Sequence, residues 1–146
     1  MGIPSRYVMS LLCAFLAAGC TSAIVPSNQA ITVPSDRVQY HAQPSPSARV
    51  IVVRDTSWYS PDRYRDLVMD DTVVAQMMIG ERVEFFAPVG DRVFAAQIPP
   101  DRAMVKLFGA PAATVPIVVE AGKTYYLRMG KADDGSTTLR RTFGAD

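Results

Sequence analysis

Residues 82–98 read RVEFFAPVGDRVFAAQI, and this stretch contains the pattern that decides the fold. Two runs of strand length, RVEFFA (82–87) and RVFAAQI (92–98), are rich in β-branched and aromatic residues. Between them, PVGD (88–91) supplies the Pro, Gly and Asp that turns favour. The stretch therefore predicts two short β-strands joined by a hairpin reversal.

The same pattern extends through residues 48–146. Further hairpin reversals are predicted at Asp70-Asp71, at AGK (121–123) and at DDG (133–135). The other short runs are RVIVVR (49–54), LVMD (67–70), TVVAQMM (72–78), MVKLF (104–108), VPIVVE (115–120), TYYLRM (124–129) and STTLRR (136–141). About seven to nine short strands with frequent turns predict an all-β, antiparallel β-sandwich of the immunoglobulin or transthyretin-like kind.

Alternation within the runs predicts which side chains face the core, because neighbours in a strand point to opposite faces. One of Phe85 and Phe86 is expected inside, and Tyr126 and Arg128 are expected outside. The expected core set is Val115, Ile117, Val119, Tyr125, Leu127 and Met129.

Residues 1–19 have the features of a bacterial signal peptide. Arg6 supplies the charge, residues 8–18 are apolar except for Ser10, and a small pair precedes Cys20. The run is too short to remain as a membrane span, which needs about 20 apolar residues. LAAGC (16–20) resembles the bacterial lipobox, although Ala17 stands where Leu is favoured. The resemblance implies that Cys20 is lipidated and begins the mature chain; the alternative is an ordinary secretory signal with an incidental thiol.

The residues after Cys20 predict location and organisation. Thr21, rather than Asp, follows the cysteine, and by resemblance to enterobacterial sorting this implies the inner leaflet of the outer membrane, with the chain facing the periplasm. Residues 20–47 are rich in Ser, Pro, Ala and Gln, which predicts a disordered tether before a domain at 48–146. Alternatively, residues 31–33 or 38–40 dock as an edge strand.

Composition excludes several kinds of chemistry. The formal charge of +1 gives no basic field for nucleic acid. Only His41 is available as a histidine, and lipidation of Cys20 leaves no free thiol, so no catalytic triad, metal site or cofactor is predicted. Asp70-Asp71 and Asp133-Asp134 are interpreted as turn residues, not as catalytic pairs or calcium ligands. The chain is therefore not expected to be an enzyme.

The segment DTSWYSPDRYRD (55–66) is the best candidate for contact with a partner. It contains the only Trp and interleaves aromatic residues with Arg, a combination enriched at binding hot spots. The candidate residues are Trp58, Tyr59, Arg63 and Tyr64. The alternative is that Trp58 and a Tyr cap the open end of the core, with Arg residues paired to Asp62 and Asp66.

Residues 48–129 resemble the bacterial lipoproteins that carry domain of unknown function 2846, which are similar to PEGA-like surface modules. The resemblance depends on the strand ending at Arg54, the Asp70-Asp71 hairpin, PVG (88–90) and EAGKTYYLR (120–128). It departs at Asp71, where Gly is expected, and at Val89, which widens the Pro-Gly turn. It implies a lipid-anchored β-sandwich and no catalytic residues.

These features predict a non-enzymatic binding or spacer module of the cell envelope. Its partners would be the membrane, through Cys20, and an envelope protein or glycan, brought together by tethering. Two alternatives are a structural subunit of a larger envelope assembly and an envelope hydrolase that uses two carboxylates.

Overall fold

Two β-sheets packed against each other form the framework of the chain. The computed structural model describes residues 23–56, 64–101 and 112–144. Its strands are β1 (Ile31–Thr32), β2 (Ser47–Arg54), β3 (Arg65–Met69), β4 (Thr72–Met77), β5 (Glu81–Pro88), β6 (Gly90–Gln97), β7 (Ala113–Val119), β8 (Thr124–Lys131) and β9 (Thr137–Thr142), with a 3-10 helix at Ser35–Arg37. The predicted all-β sandwich is confirmed. The strand predicted at 104–108 lies outside the described residues.

The sheets differ in size and in strand direction. The five-stranded sheet has the order β1-β5-β2-β8-β9, and the four-stranded sheet has the order β4-β3-β6-β7. Most neighbours are antiparallel, but β1–β5 and β2–β8 are parallel. The last pair in the parallel β2–β8 register is Arg54 with Met129, so both strands run to the same end of the sandwich.

Alternating apolar residues from the two sheets meet in one core. Val50, Leu67 and Phe94 are fully buried there. Of the predicted core set, Val115 is only half-buried, and the others are buried: Ile117, Val119, Tyr125, Leu127 and Met129. Phe85 is buried and Phe86 is 42% exposed, as the alternation predicts.

Two of the predicted hairpins form and two do not. Asp70-Asp71 joins β3 to β4, and residues 132–136 join β8 to β9. By contrast, residues 88–91 and 121–123 carry the chain from one sheet to the other, so β5 does not pair with β6, nor β7 with β8. A turn sequence specifies that the chain changes direction, whereas the choice of sheet depends on which apolar faces must meet.

The structure corrects the disordered tether predicted over 20–47, because residues 23–40 contact the sandwich. Val33 is 4% exposed within the core, and its N–H donates to the Arg82 carbonyl oxygen at 2.8 Å. Val38 forms a bridge with Ala75, and the Tyr40 ring packs edge-on against Phe85. Docking covers the edge of β5 and buries apolar side chains, so both segments weighed as edge strands are held against the fold.

Candidate functional site

One end of the sandwich, which we call the polar end, contains all the buried charged residues of the described chain. Strands β2 and β8 end there, and β3 and β5 begin there. The buried charged residues are Arg54, Asp55, Arg65, Asp66, Glu81 and Arg128. A buried charge is tolerated only when it is paired or hydrogen-bonded. The ion pairs and hydrogen bonds of these buried residues are therefore concentrated at the polar end.

Two arginines enter the space between the sheets at the polar end. Arg54 donates a hydrogen bond to the Met77 carbonyl oxygen, and Arg65 Nε donates to Thr137 Oγ1 at 3.3 Å. With Asp55 and Lys131 they line a cavity of about 10 Å³. This volume is roughly that of one water molecule, so the arginines close the end of the core and leave no room there for a substrate.

A buried ion pair, hydrogen-bonded to the backbone of Val25, lies on the outer face of the five-stranded sheet. Arg128 Nη1 is 2.6 Å from Asp55 Oδ1, and both side chains are buried. The same Asp55 oxygen accepts the Val25 N–H at 3.0 Å, while Arg128 Nη1 donates to the Val25 carbonyl oxygen at 2.9 Å. Arg128 was expected to face solvent; residues 23–27 cover this face and bury it, which sequence alternation cannot foresee.

A cleft of about 360 Å³ opens beside this ion pair. Ala23 and Ile24 form one wall, and the chain around Lys131 forms another. Its lining residues are Ala23, Ile24, Asp55, Gly130, Lys131, Ala132, Thr138 and Arg140. Asp55 in this lining pairs with Arg128, and the exposed Arg140 adds a positive charge to the cleft. The cleft is suited to a small anionic group.

A broader groove of about 670 Å³ runs along the outer face of the same sheet. It combines amide, hydroxyl, guanidinium and phenol groups with two apolar residues, a mixture that suits polar ligands or protein surfaces. Its lining residues are Pro26, Ser27, Asn28, Gln29, Arg49, Ile51, Arg82 and Tyr126. Sequence reasoning missed this groove because half of its lining comes from the segment predicted to be a tether.

The structure places only one of the predicted contact residues. Tyr64 is half-buried at the polar end, and the Arg37 guanidinium lies 5.4 Å from the centre of its ring. Arg37 in turn makes a two-pronged ion pair with Glu81. Cys20, Trp58, Tyr59 and Arg63 lie outside the described residues. Thr56 and Tyr64, the described residues on either side of the segment that carries the last three, both lie at the polar end.

The acidic side chains of the described ranges do not form a metal site. No group of three or more His, Cys, Asp or Glu side chains there is arranged to hold a metal ion. Asp134 Oδ1 accepts the Ser136 N–H, which confirms its predicted turn role, and hydrogen bonding from Ser136 lowers its pKa. Asp66 is buried, its Oδ1 has no hydrogen-bond partner among the described residues, and burial raises its pKa.

No protein-family model matches the chain, and no curated protein matches it. The resemblance to lipoproteins with domain of unknown function 2846 therefore stays a prediction. Among the residues that the structure describes, no helix has the length and apolar character needed to cross a bilayer.

Proposed function

We propose that this chain is a lipid-anchored, non-enzymatic binding or spacer module of the bacterial cell envelope that faces the periplasm. The lipid is carried by Cys20, and the sandwich presents its grooves to an envelope protein or glycan. The lipobox-like sequence supports the anchor, and the grooves at the polar end and on the five-stranded sheet support the binding role.

The observation that carries this proposal is the short distance in sequence between Cys20 and the folded chain. Only Thr21 and Ser22 separate Cys20 from Ala23, whose carbonyl oxygen accepts the Thr56 N–H at 3.2 Å. Three residue steps span at most about 10 Å. A lipid on Cys20 would hold the polar end close to the bilayer, in place of the wide search that the predicted tether would allow.

Contact with a partner would then occur near the membrane. Trp58, Tyr59, Arg63 and Tyr64 remain the predicted contact residues, and their segment is attached at the end nearest the anchor. The outer groove offers a second surface, in which Tyr126 supplies a half-buried ring beside Arg82. Photo-crosslinking residues placed at Gln29, in the groove, and at Ala121, at the opposite end, would test this role in intact envelopes. A binding module gives a discrete adduct from position 29 and none from 121; equal patterns from both contradict it.

Replacement of Cys20 tests the anchor. We expect Cys20→Ser to remain at precursor size and to lose incorporation of labelled palmitate, whereas Cys13→Ser, in the signal peptide, is processed and labelled like the wild type. If Cys20→Ser is processed, labelled and fractionated as the wild type is, the proposed anchor is wrong.

A further inference from the structure

We infer that the polar end is a docking face for the anionic surface of the bilayer, formed by exposed isoleucines on one side and by Arg140 and Thr138 on the other. The inference rests on the lipid anchor proposed above and adds to it a defined orientation: the end of the five-stranded sheet contacts the lipid headgroups.

The face is continuous because the strand ends follow one another in the order of the sheet. Beside β5, the Gly80 carbonyl oxygen accepts the Ile31 N–H at 3.0 Å, and the Gly80 N–H donates to the Arg54 carbonyl oxygen at 2.8 Å. Beyond β2, the Asp55 N–H donates to the Met129 carbonyl oxygen at 2.9 Å. The row therefore runs from Ile31 across the ends of β5, β2 and β8 to the cleft.

Three large apolar side chains are exposed along this row. Ile24 is 63% exposed, Ile31 is 70% exposed and Ile79 is 43% exposed. Isoleucines gathered at one end of a fold are unfavourable in water, and burial of their area at an interface recovers free energy in proportion to that area. The other large exposed apolar residues of the described chain, such as Phe86 and Val118, lie elsewhere on the fold.

The basic side of the face complements lipid phosphates. Arg140 lines the cleft beside Ile24, and Thr138 adds a hydroxyl donor. A basic residue near an anionic bilayer strengthens attachment by about fivefold. The adjoining turn also contains Asp133 and Asp134, both exposed, so this end is not uniformly basic, and we assign the phosphate contact to the cleft wall.

The position of the anchor selects the bilayer as the occupant over a soluble anion. Cys20 lies three residues before Ala23, which forms part of the cleft wall, so a lipidated chain brings the cleft to the headgroup layer. The local concentration of headgroups there is high, and a weak site is filled without high intrinsic affinity.

Energy transfer from two positions to labelled headgroups tests the orientation. The mature chain has no thiol other than the lipidated Cys20, so Ala132→Cys at the polar end and Ala121→Cys at the opposite end can each take one fluorophore. The full lipidated protein is reconstituted on vesicles whose headgroups carry an acceptor, and lipidation is checked by mass. We expect stronger transfer from position 132, with a further increase when phosphatidylglycerol replaces phosphatidylcholine.

Matched charge reversals identify the residues responsible. Arg140→Glu should abolish the increase caused by phosphatidylglycerol, whereas Lys123→Glu, an exposed reversal at the opposite end, should retain it. Equal transfer from both positions, or no response to lipid charge, would overturn the docking face while leaving the anchor intact. Absence of transfer from either position contradicts the anchor as well. If millimolar inorganic phosphate alone removes the effect of phosphatidylglycerol, the cleft is a soluble-anion site and the inference is wrong.

Discussion

Arg128 and Asp55 form one buried ion pair that also holds both backbone polar groups of Val25. The Arg128 Nη1 to Asp55 Oδ1 distance is 2.6 Å, and the Val25 N–H and carbonyl oxygen complete the arrangement. The pair therefore fastens the chain that leads from Cys20 to the outer face of the five-stranded sheet. Close attachment of the proposed anchor depends on it.

Removal of one partner should strongly destabilise the fold. Arg128→Ala leaves the buried Asp55 carboxylate without its counter-charge and the Val25 carbonyl oxygen without this donor, and loss of one member of a buried pair costs about 3–5 kcal/mol. We expect a lower free energy of unfolding in denaturant titrations and faster proteolysis within residues 23–30. An unchanged cleavage rate in that segment would show that the pair does not fasten it.

An exposed pair of similar geometry provides the control. Arg49 Nε lies 2.6 Å from Glu84 Oε1 with the arginine side chain 46% exposed, and the hydrogen bond from Arg49 lowers the Glu84 pKa. Since water screens this interaction, Arg49→Ala should have a much smaller effect than Arg128→Ala. If both substitutions lower the free energy of unfolding by the same amount, burial does not explain the strength of the Arg128–Asp55 pair.

Residues 31–33 should contribute to stability as part of the domain. Val33→Ala removes two methyl groups from the core and should lower the free energy of unfolding by about 2 kcal/mol, by lost burial and a residual cavity. Ile31→Ala, two residues away and 70% exposed, should have little effect. If both variants have similar unfolding midpoints in urea, residues 31–33 do not contribute to the stability of the domain and behave as a tether.

The β3–β4 turn allows a stabilising substitution. Asp70 and Asp71 have φ values of 47° and 65°, the left-handed conformation of a two-residue hairpin turn. Asp71→Gly relieves this strain and should raise the free energy of unfolding by about 0.5–1 kcal/mol. Asp70→Gly should lower it instead, because Asp70 Oδ1 accepts the Val93 N–H and Oδ2 accepts from Arg92. In thermal melts we expect a higher melting temperature for Asp71→Gly and a lower one for Asp70→Gly. A shift in the same direction for both variants would contradict this explanation of the turn.

Asp66 should give the stability a distinct pH dependence. Burial raises its folded pKa above the ordinary 3.8, so the folded state binds the proton more tightly than the unfolded chain does. Its contribution therefore becomes more favourable as the pH falls from 7 through the folded pKa, and the charged carboxylate destabilises the fold above that pKa. Asp66→Asn should raise stability at pH 7, by an amount that shrinks toward pH 4.

Asp134 provides a comparison, because its pKa is shifted in the opposite direction to that of Asp66. Its pKa is lowered by Ser136, so its contribution is present above the ordinary pKa and is lost as the pH falls through the folded pKa. Asp134→Asn should therefore lower stability at pH 7. Urea titrations from pH 8 down to below the ordinary Asp pKa of 3.8 measure both difference curves, and a pH-independent difference for Asp66→Asn would exclude a raised pKa.

Local patterns were sufficient for the strands but not for their partners. Alternation in residues 124–129 identifies Tyr125, Leu127 and Met129 as core residues, because burial on the inner face follows the two-residue period of a strand. Yet the turn at 121–123 does not reveal that β8 joins a different sheet from β7 and pairs in parallel with β2. That choice is made by contacts between residues distant in sequence.

The burial of Arg128 at the polar end also depends on contacts between residues distant in sequence. Arg128 is placed outside by alternation, which is correct for its face of the sheet, but residues 23–27 bury that face from a point about a hundred positions earlier in the chain. The composition of residues 20–47 resembles a linker, whereas the Arg128–Asp55 pair and the packing of Val33 and Tyr40 hold this segment on the fold. A pairing of Asp55 with Arg128 has no local sequence signal.

The most direct test of the account is the mass of the N-terminal peptide of the protein purified from bacterial membranes. A lipid-anchored module predicts a peptide that begins at Cys20 and carries a diacylglyceryl group on Sγ, with or without a further acyl chain on its new amino group. Recovery of a mature chain in which Cys20 bears an unmodified thiol, or of a chain cut elsewhere and lacking lipid, would contradict the anchor and the orientation inferred from it.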